Sequence, residues 1–300
     1  GTNIQVRLTS NACPPRAQDI LAHRLRAKDK LQKEGVPMAD DDLALRMKVA
    51  TSCRVLGMLG LVNESTGHVS TRVPGTDEMW IRCRGGDELG LTFTGIHNIR
   101  RTDFDGNGPH VGDKHGSPNE TPIHGEIYRA HPEVNAVVHA HPWYALLCGV
   151  TNLEFRPVYG GYDPSSLDIV RKGVPIYPSA KTITDKELAA KLIACMGDRN
   201  VVLMKGHGIT VTGKTVEEAT TLAIKFDRLA RVMWEIATSG RKADDLSPED
   251  LGRYNRPDRG SEPRTGWRAV VDGAENFVWN HYVKMLEVAN IGVPTDTDSP

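Results

Sequence analysis

Cysteine is scarce and unpaired in this 300-residue sequence. Cys13, Cys53, Cys83, Cys148 and Cys195 are odd in number and scattered, with no Cys-x-x-Cys spacing. They read as reduced, mostly buried thiols of a cytoplasmic protein. None sits in a cationic local sequence, which speaks against a nucleophilic thiol. There is no excess of charge: the net value is −1 with 25% charged residues. No basic stripe and no run of like charge argues for a nucleic-acid partner or a charged tail. No apolar stretch approaches the roughly 20 residues that span a bilayer, so no membrane association is expected. The opening Gly1-Thr2-Asn3 reads as the remnant of a processed tag and carries no apolar signal region. Internal repeats and low-complexity segments are also missing. What remains is a globular chain long enough for one large domain or two small ones.

Hydrophobic periodicity supplies the elements. A charged helix is predicted over 16–34. A second runs over 42–60, with Leu43, Leu45, Met47, Val49, Val55, Leu56 and Leu59 as its apolar side. Short strands are predicted at 68–73, 79–83 and 89–94, then a loop over 103–118. Thr121-Pro122 reads as an N-cap followed by proline in the first turn, opening a helix to residue 131. A strand over 134–140 and a helix over 142–150 follow, and 151–172 reads as irregular. Thr184 with Glu187, and Thr215 with Glu218, are spaced as capping boxes of two further helices. Strands at 201–204 and 209–212 lie between those helices, and an amphipathic helix over 275–288 closes the chain. The pattern predicts an α/β domain over 41–240, a helical segment over 1–40, and a C-terminal extension over 241–300.

The chemistry concentrates in Ala136-Val137-Val138-His139-Ala140-His141-Pro142. On a strand, residues i and i+2 share a face, about 6.5–7 Å apart. Two imidazoles at a strand end can therefore converge on one metal ion. Imidazole suits Zn, Mn, Fe, Co and Ni, so the pair indicates a metal without choosing it. The competing reading is a pair of half-buried structural histidines, each needing a hydrogen-bond partner in an apolar run. His207, in Lys205-Gly206-His207-Gly208 at the end of an apolar strand, is the third candidate. Its flanking glycines let the backbone approach closely; the alternative is an exposed turn histidine. Glu120 is the fourth, and its ordinary reading is a helix N-terminal carboxylate facing the dipole.

Asn119-Glu120, the helix 121–131, Glu133 through His141, and Lys205-Gly206-His207-Gly208 together resemble the class II aldolase/adducin family, of the fuculose-phosphate aldolase type. Gly67-His68-Val69-Ser70-Thr71-Arg72 and Thr92-Phe93-Thr94-Gly95 fall where that family has its glycine-rich strand pair. The resemblance covers about residues 42–235. It implies a three-layer α/β/α sandwich with a central, mainly antiparallel sheet. It also implies one divalent metal ion per subunit (Zn, Mn, Fe or Co) held by His139, His141 and His207, with Glu120 as a ligand or as acid/base. A homotetramer is implied as well. Adducin has this fold without enzyme activity, and the presence of all three histidines argues against that outcome here.

Departures from the sugar-phosphate pattern bear on substrate. Thr94-Gly95 is kept, but His68 stands in place of an Asn and Pro118-Asn119 in place of a Ser-Ser pair. Proline has neither an N–H nor a hydroxyl to offer a phosphate. His139 through Tyr144, and Arg156-Pro157-Val158-Tyr159-Gly160-Gly161-Tyr162, are more similar to the family's aromatic decarboxylases, which act on dihydroxyphthalate- or hydroxypyridine-dicarboxylate-type acids. On that resemblance Glu120, His68 and Tyr162 are the candidate proton-handling groups. Arg156, Trp143, Thr94, Gly95 and Asn119 are the candidate substrate contacts. His124 and His131, seven apart, read as structural or supporting groups, and Trp279, His281 and Tyr282 as the docking side of the last helix. Two other readings stay open: a metal-dependent aldolase or epimerase on a small hydroxy-carbonyl compound, and a non-catalytic adducin-like assembly module.

Overall fold

The computed structural model describes residues 39–86, 88–109, 111–112, 114–160, 163–254 and 277–295. The N-terminal helix expected over 16–34 and the candidate Tyr162 lie outside these. In chain order the helices are α1 (Ala39–Met58), α2 (Thr121–Ala130), α3 (Trp143–Thr151), α4 (Pro164–Arg171), α5 (Lys186–Met196), α6 (Val216–Thr238), α7 (Pro248–Tyr254) and α8 (Phe277–Val288). The strands are β1 (His68–Arg72), β2 (Glu78–Arg82), β3 (Arg84–Gly85), β4 (Ile99–Asp103), β5 (His115–Gly116), β6 (Ala136–Ala140), β7 (Ile176–Tyr177), β8 (Val201–Met204) and β9 (Gly208–Gly213).

The β-branched run of β6 is buried along its whole length, because it lies mid-sheet with helices on both sides. The seven-stranded sheet has the order β4-β2-β1-β6-β9-β8-β7; β3 and β5 form a separate pair. Every pairing in the large sheet is antiparallel except β7 with β8. Alternation along the strands divides the core. Val137, Val202 and Ile81 face Ile123 and Ile127 of α2 and Leu192 and Met196 of α5. Val69, Val138, Leu203 and Val211 face Val49, Cys53 and Leu56 of α1, Ala145 and Cys148 of α3, and Ala219 and Phe226 of α6. This is the three-layer α/β/α sandwich expected from the sequence. No helix among the described residues is long and apolar enough to cross a membrane.

The described residues from Leu43 onward form one compact unit that includes α8. Tyr282 and Leu286 of α8 are buried in the core, and the Tyr282 hydroxyl accepts from Arg228 Nη2 at 2.5 Å. The buried Arg54 donates through Nη1 to the carbonyl of Gly292, just past α8 (3.1 Å), and through Nε to that of Thr94 (2.8 Å).

Local competition moved several elements. The strand expected at 89–94 is a 3-10 turn, Leu91–Phe93, bounded by Gly90 at φ 94. The edge of the sheet is instead β4, Ile99–Asp103, in a stretch to which the sequence reading assigned no strand. A helix, α4, occupies part of the stretch read as irregular: Asp163 caps it by accepting from the Ser166 N–H, and Pro164 opens its first turn. The α5 cap is Asp185 rather than Thr184, since its carboxylate accepts from the Leu188 N–H at 2.8 Å. Thr121 is not a cap either; its hydroxyl turns back to the Pro118 carbonyl (2.6 Å). At α6 the Thr215 cap is present, its hydroxyl accepting from the Glu218 N–H (3.1 Å), while the Glu218 carboxylate reaches back to the Lys214 N–H (2.7 Å) rather than to that of Thr215.

Asp227 on α6 gives the fold a pH signature. Burial, only partly offset by Arg231 and Arg228, pushes its carboxyl up to about 6. Unfolded, it would titrate near 3.9. The folded state thus holds this proton more tightly, and that contribution is present below about pH 4 and lost as pH rises through about 6. Asp227→Asn is expected to be more stable than the parent at pH 8, by about 2 kcal/mol, with the difference closing toward pH 4.5. Urea denaturation across that range measures it; a pH-independent difference would refute the assignment.

Candidate metal centre

β6 ends at the site. His139 pairs with His68 of β1 on one side and with Thr210 of β9 on the other. Period-2 alternation puts His68, His139 and Thr210 on the α2-facing side, and carries His141, one residue beyond the strand, to the same side. His207 comes from the turn between β8 and β9, where Gly206 adopts φ 70 and Gly208 lies against the β6 backbone. A Cβ on Gly208 would sit 2.2 Å from the Ala140 carbonyl oxygen and 2.7 Å from His141 Cδ2. Glu120 is the N-cap residue of α2, yet its side chain makes no capping bond and enters the site instead.

These elements bring Glu120, His139, His141 and His207 together, with one potential ligand atom from each lying within 4.8 Å of all the others. Glu120 Oε2 is 3.2 Å from His139 Nε2 and 3.5 Å from His207 Nε2; the Nε2 atoms of His139 and His141 are 2.9 Å apart. Donors about 2.1 Å from a common ion and at right angles around it stand about 3.0 Å apart. The donor types and these edges therefore fit a divalent cation. Glu120 Oε1 accepts from the Ile183 N–H at 3.0 Å, so both carboxylate oxygens are engaged. His139 Nδ1 lies 3.3 Å from the Thr210 hydroxyl, which in turn donates to Met204 Sδ (3.5 Å). That order makes His139 Nδ1 the donor and leaves its Nε2 lone pair for the site.

The electrostatics agree. Burial alone would raise the Glu120 carboxyl, but His139, His207 and His68 outweigh it and hold it well below the usual carboxylate range. Burial, reinforced by His139 and His207, lowers His141 to about 3, the neutral form that ligates metals. His68 is lowered to about 4, again chiefly by burial. Its ring stacks on His139 with centroids 4.9 Å apart, and its Nε2 lies 3.9 Å from Glu120 Oε2.

The other candidates are distributed differently. Thr94 is buried, but its N–H donates to the Leu91 carbonyl (3.1 Å), and the Gly95 N–H donates to Asn98 Oδ1 (2.9 Å). Asn119 is exposed beside Glu120. Trp143 is 60% exposed at the start of α3. Arg156 is paired with Asp245 (2.7 Å) and the Ala243 carbonyl (3.2 Å), outside the four-residue cluster. His131 is at the α2 C-terminus beside Glu133 (3.2 Å), whereas His124 is fully buried behind His68. The Ser70 and Tyr128 hydroxyls behind His124, and the Ile183 N–H, were missed in the sequence. The i, i+2 spacing of His68 and Ser70, and the i, i+4 spacing of His124 and Tyr128, were the available signals.

The sheet order, the two helical layers and the cluster of three histidines and one carboxylate make an α/β/α fold with a candidate divalent-metal centre at the end of its central strand. The chain belongs to the class II aldolase and adducin N-terminal domain family, which it matches over residues 47–234. It is 39% identical to the 3,4-dihydroxyphthalate decarboxylase of Arthrobacter keyseri over 228 residues, 74% of this chain and 91% of that protein. It is 37% identical to the 3,4-dihydroxyphthalate decarboxylase of Terrabacter sp. (strain DBF63) over 230 residues, 76% of this chain and 96% of the other. Among solved structures, an aldolase II superfamily protein from Pseudomonas syringae shares the fold, with TM-score 0.67 at 18% identity over 87% of this chain and 98% of that one.

Proposed function

We propose that this chain is a divalent-metal-dependent, non-oxidative decarboxylase of a hydroxylated aromatic carboxylic acid of the dihydroxyphthalate type. The carrying observation is the convergence of Glu120, His139, His141 and His207, in a chain whose relatives at 37–39% identity are named for that reaction. One divalent ion per subunit (Zn, Mn, Fe or Co) would supply Lewis acidity toward the substrate's oxygens. We assign Glu120 to holding it: with Oε1 on Ile183 and Oε2 among imidazoles, the carboxylate has no proton to give. His68, whose Nε2 faces the same space, is then the chain's described group best placed to donate a hydrogen bond to a bound oxyanion. The committed N–H groups of Thr94 and Gly95 weaken a phosphate cradle, which supports an aromatic acid over a sugar phosphate. We further read the protein as a cytoplasmic homotetramer. The free thiols of Cys53, Cys83, Cys148 and Cys195 are in keeping with a reducing compartment.

The test is direct. With Mn or Zn supplied, the protein is expected to release CO2 from 3,4-dihydroxyphthalate and no aldehyde from fuculose 1-phosphate. Glu120→Gln is expected to lower the CO2 rate at least ~100-fold. Aldehyde release without CO2 release would favour the aldolase reading, and bound metal with neither product the assembly-module reading.

A further inference from the structure

Behind His68 lies a buried string of polar groups with no obvious packing purpose. His68 Nδ1 is 2.6 Å from His124 Nε2, and His124 Nδ1 is 2.6 Å from Ser70 Oγ. Ser70 Oγ is 2.7 Å from the Tyr128 hydroxyl. All four residues are at most 3% exposed. In an apolar layer built on Ile123 and Ile127, such a string costs desolvation at each member and is tolerated only when every link is satisfied.

The proton order along it can be derived. The order is read from the site inward: His68 Nε2 lies 3.9 Å from Glu120 Oε2, where a proton on that nitrogen is attracted and a bare lone pair is repelled. Followed back along the string, that order directs the phenolic proton at Ser70. Ser70, having accepted from Tyr128, donates its own proton to His124 Nδ1. His124 is buried and held neutral, so with Nδ1 accepting it carries its proton on Nε2 and donates to His68 Nδ1. That leaves the His68 proton on Nε2, facing Glu120 Oε2 across 3.9 Å. The opposite order would point a bare nitrogen lone pair at a carboxylate, which is repulsive.

We propose that Tyr128, Ser70 and His124 are positioning residues that fix the His68 tautomer, so that His68 presents Nε2–H to a carboxylate or phenolate oxygen of the substrate beside Glu120. This deepens, and rests on, the decarboxylase reading for its substrate. The tautomer itself does not depend on that reading. The ring stack on His139 sets the plane of His68, and the relay sets which atom bears the proton.

Two measurements on the full-length zinc-loaded protein test it. Magic-angle-spinning 15N NMR of histidine-labelled protein, assigned with His68→Gln, is expected to show His68 and His124 both protonated on Nε2. An Nδ1-protonated His68 overturns the relay, whatever the enzyme does. Kinetically, Ser70→Ala and Tyr128→Phe are each expected to lower kcat for CO2 release roughly 10- to 100-fold at unchanged metal content. Ser70→Thr, which keeps a hydroxyl, should recover most of the loss. Unchanged kcat in a folded Ser70→Ala protein, or equal losses in Ser70→Ala and Ser70→Thr, overturns the positioning role. Should no substrate be decarboxylated by the parent protein, the spectrum alone decides the relay while the activity assignment fails separately.

Discussion

Ala at position 139 or 207 is expected to leave the purified protein with little bound divalent ion. Each substitution removes one of four donors that stand within 4.8 Å of one another, and an imidazole is not replaced by any neighbouring side chain of the cluster. Disturbing the groups that merely orient a ligand costs 10- to 100-fold in affinity, so losing a ligand should weaken binding by more than ~100-fold. His207→Ala is the cleaner of the two. His139 is fully buried at mid-sheet and contacts His68 and Thr210, so its removal also opens a cavity, whereas His207 sits on a turn. Elemental analysis after dialysis gives the stoichiometry, and a thermal scan with added Zn gives the linked stabilisation. Stoichiometric metal in the His207→Ala protein would refute the proposed ligand set.

Gly208→Ala is expected to damage both the fold and the site. Its Cβ would fall 2.2 Å from the Ala140 carbonyl oxygen and 2.7 Å from His141 Cδ2. Backbone cannot swing away as a flexible side chain would, so β6 and β9 must separate at the point where two of the candidate ligands are presented. Overpacking of this kind costs about 3 kcal/mol. It should also move His141, so metal affinity and stability fall together. Gly86→Ala, where an added Cβ meets nothing within 4 Å, is the control and should be near neutral in both. Equal denaturation midpoints for Gly208→Ala and its parent would contradict the close approach.

The clustering of the candidate ligands was legible because its signals are local. A β-branched run ending in His-x-His narrows to a metal pair or two structural histidines, and glycines on both sides of His207 mark a tight turn. The resemblance then tied Glu120 to them across intervening sequence. Elements governed by competing local chemistry were less legible. Leu89 through Thr94 has strand-like residues, yet Gly90 at positive φ and Gly95 at the other end turn it into a 3-10 segment. Asp163 and Asp185 won capping roles because only the folded backbone decides which of several adjacent polar residues points at an N–H. The groups behind His68 were hardest to see: serine, tyrosine and histidine are ordinary in a strand and a helix. Only the registry of β1 against α2 shows that they touch.

Glu120 carries two loyalties at once. One oxygen looks into the histidine cluster; the other grips the Ile183 amide, 63 positions later, and so anchors the approach to α5. Shortening this side chain to aspartate could satisfy one of those demands only by forsaking the other. Any redesign of the cluster at this position must therefore also refashion the segment that leads into α5.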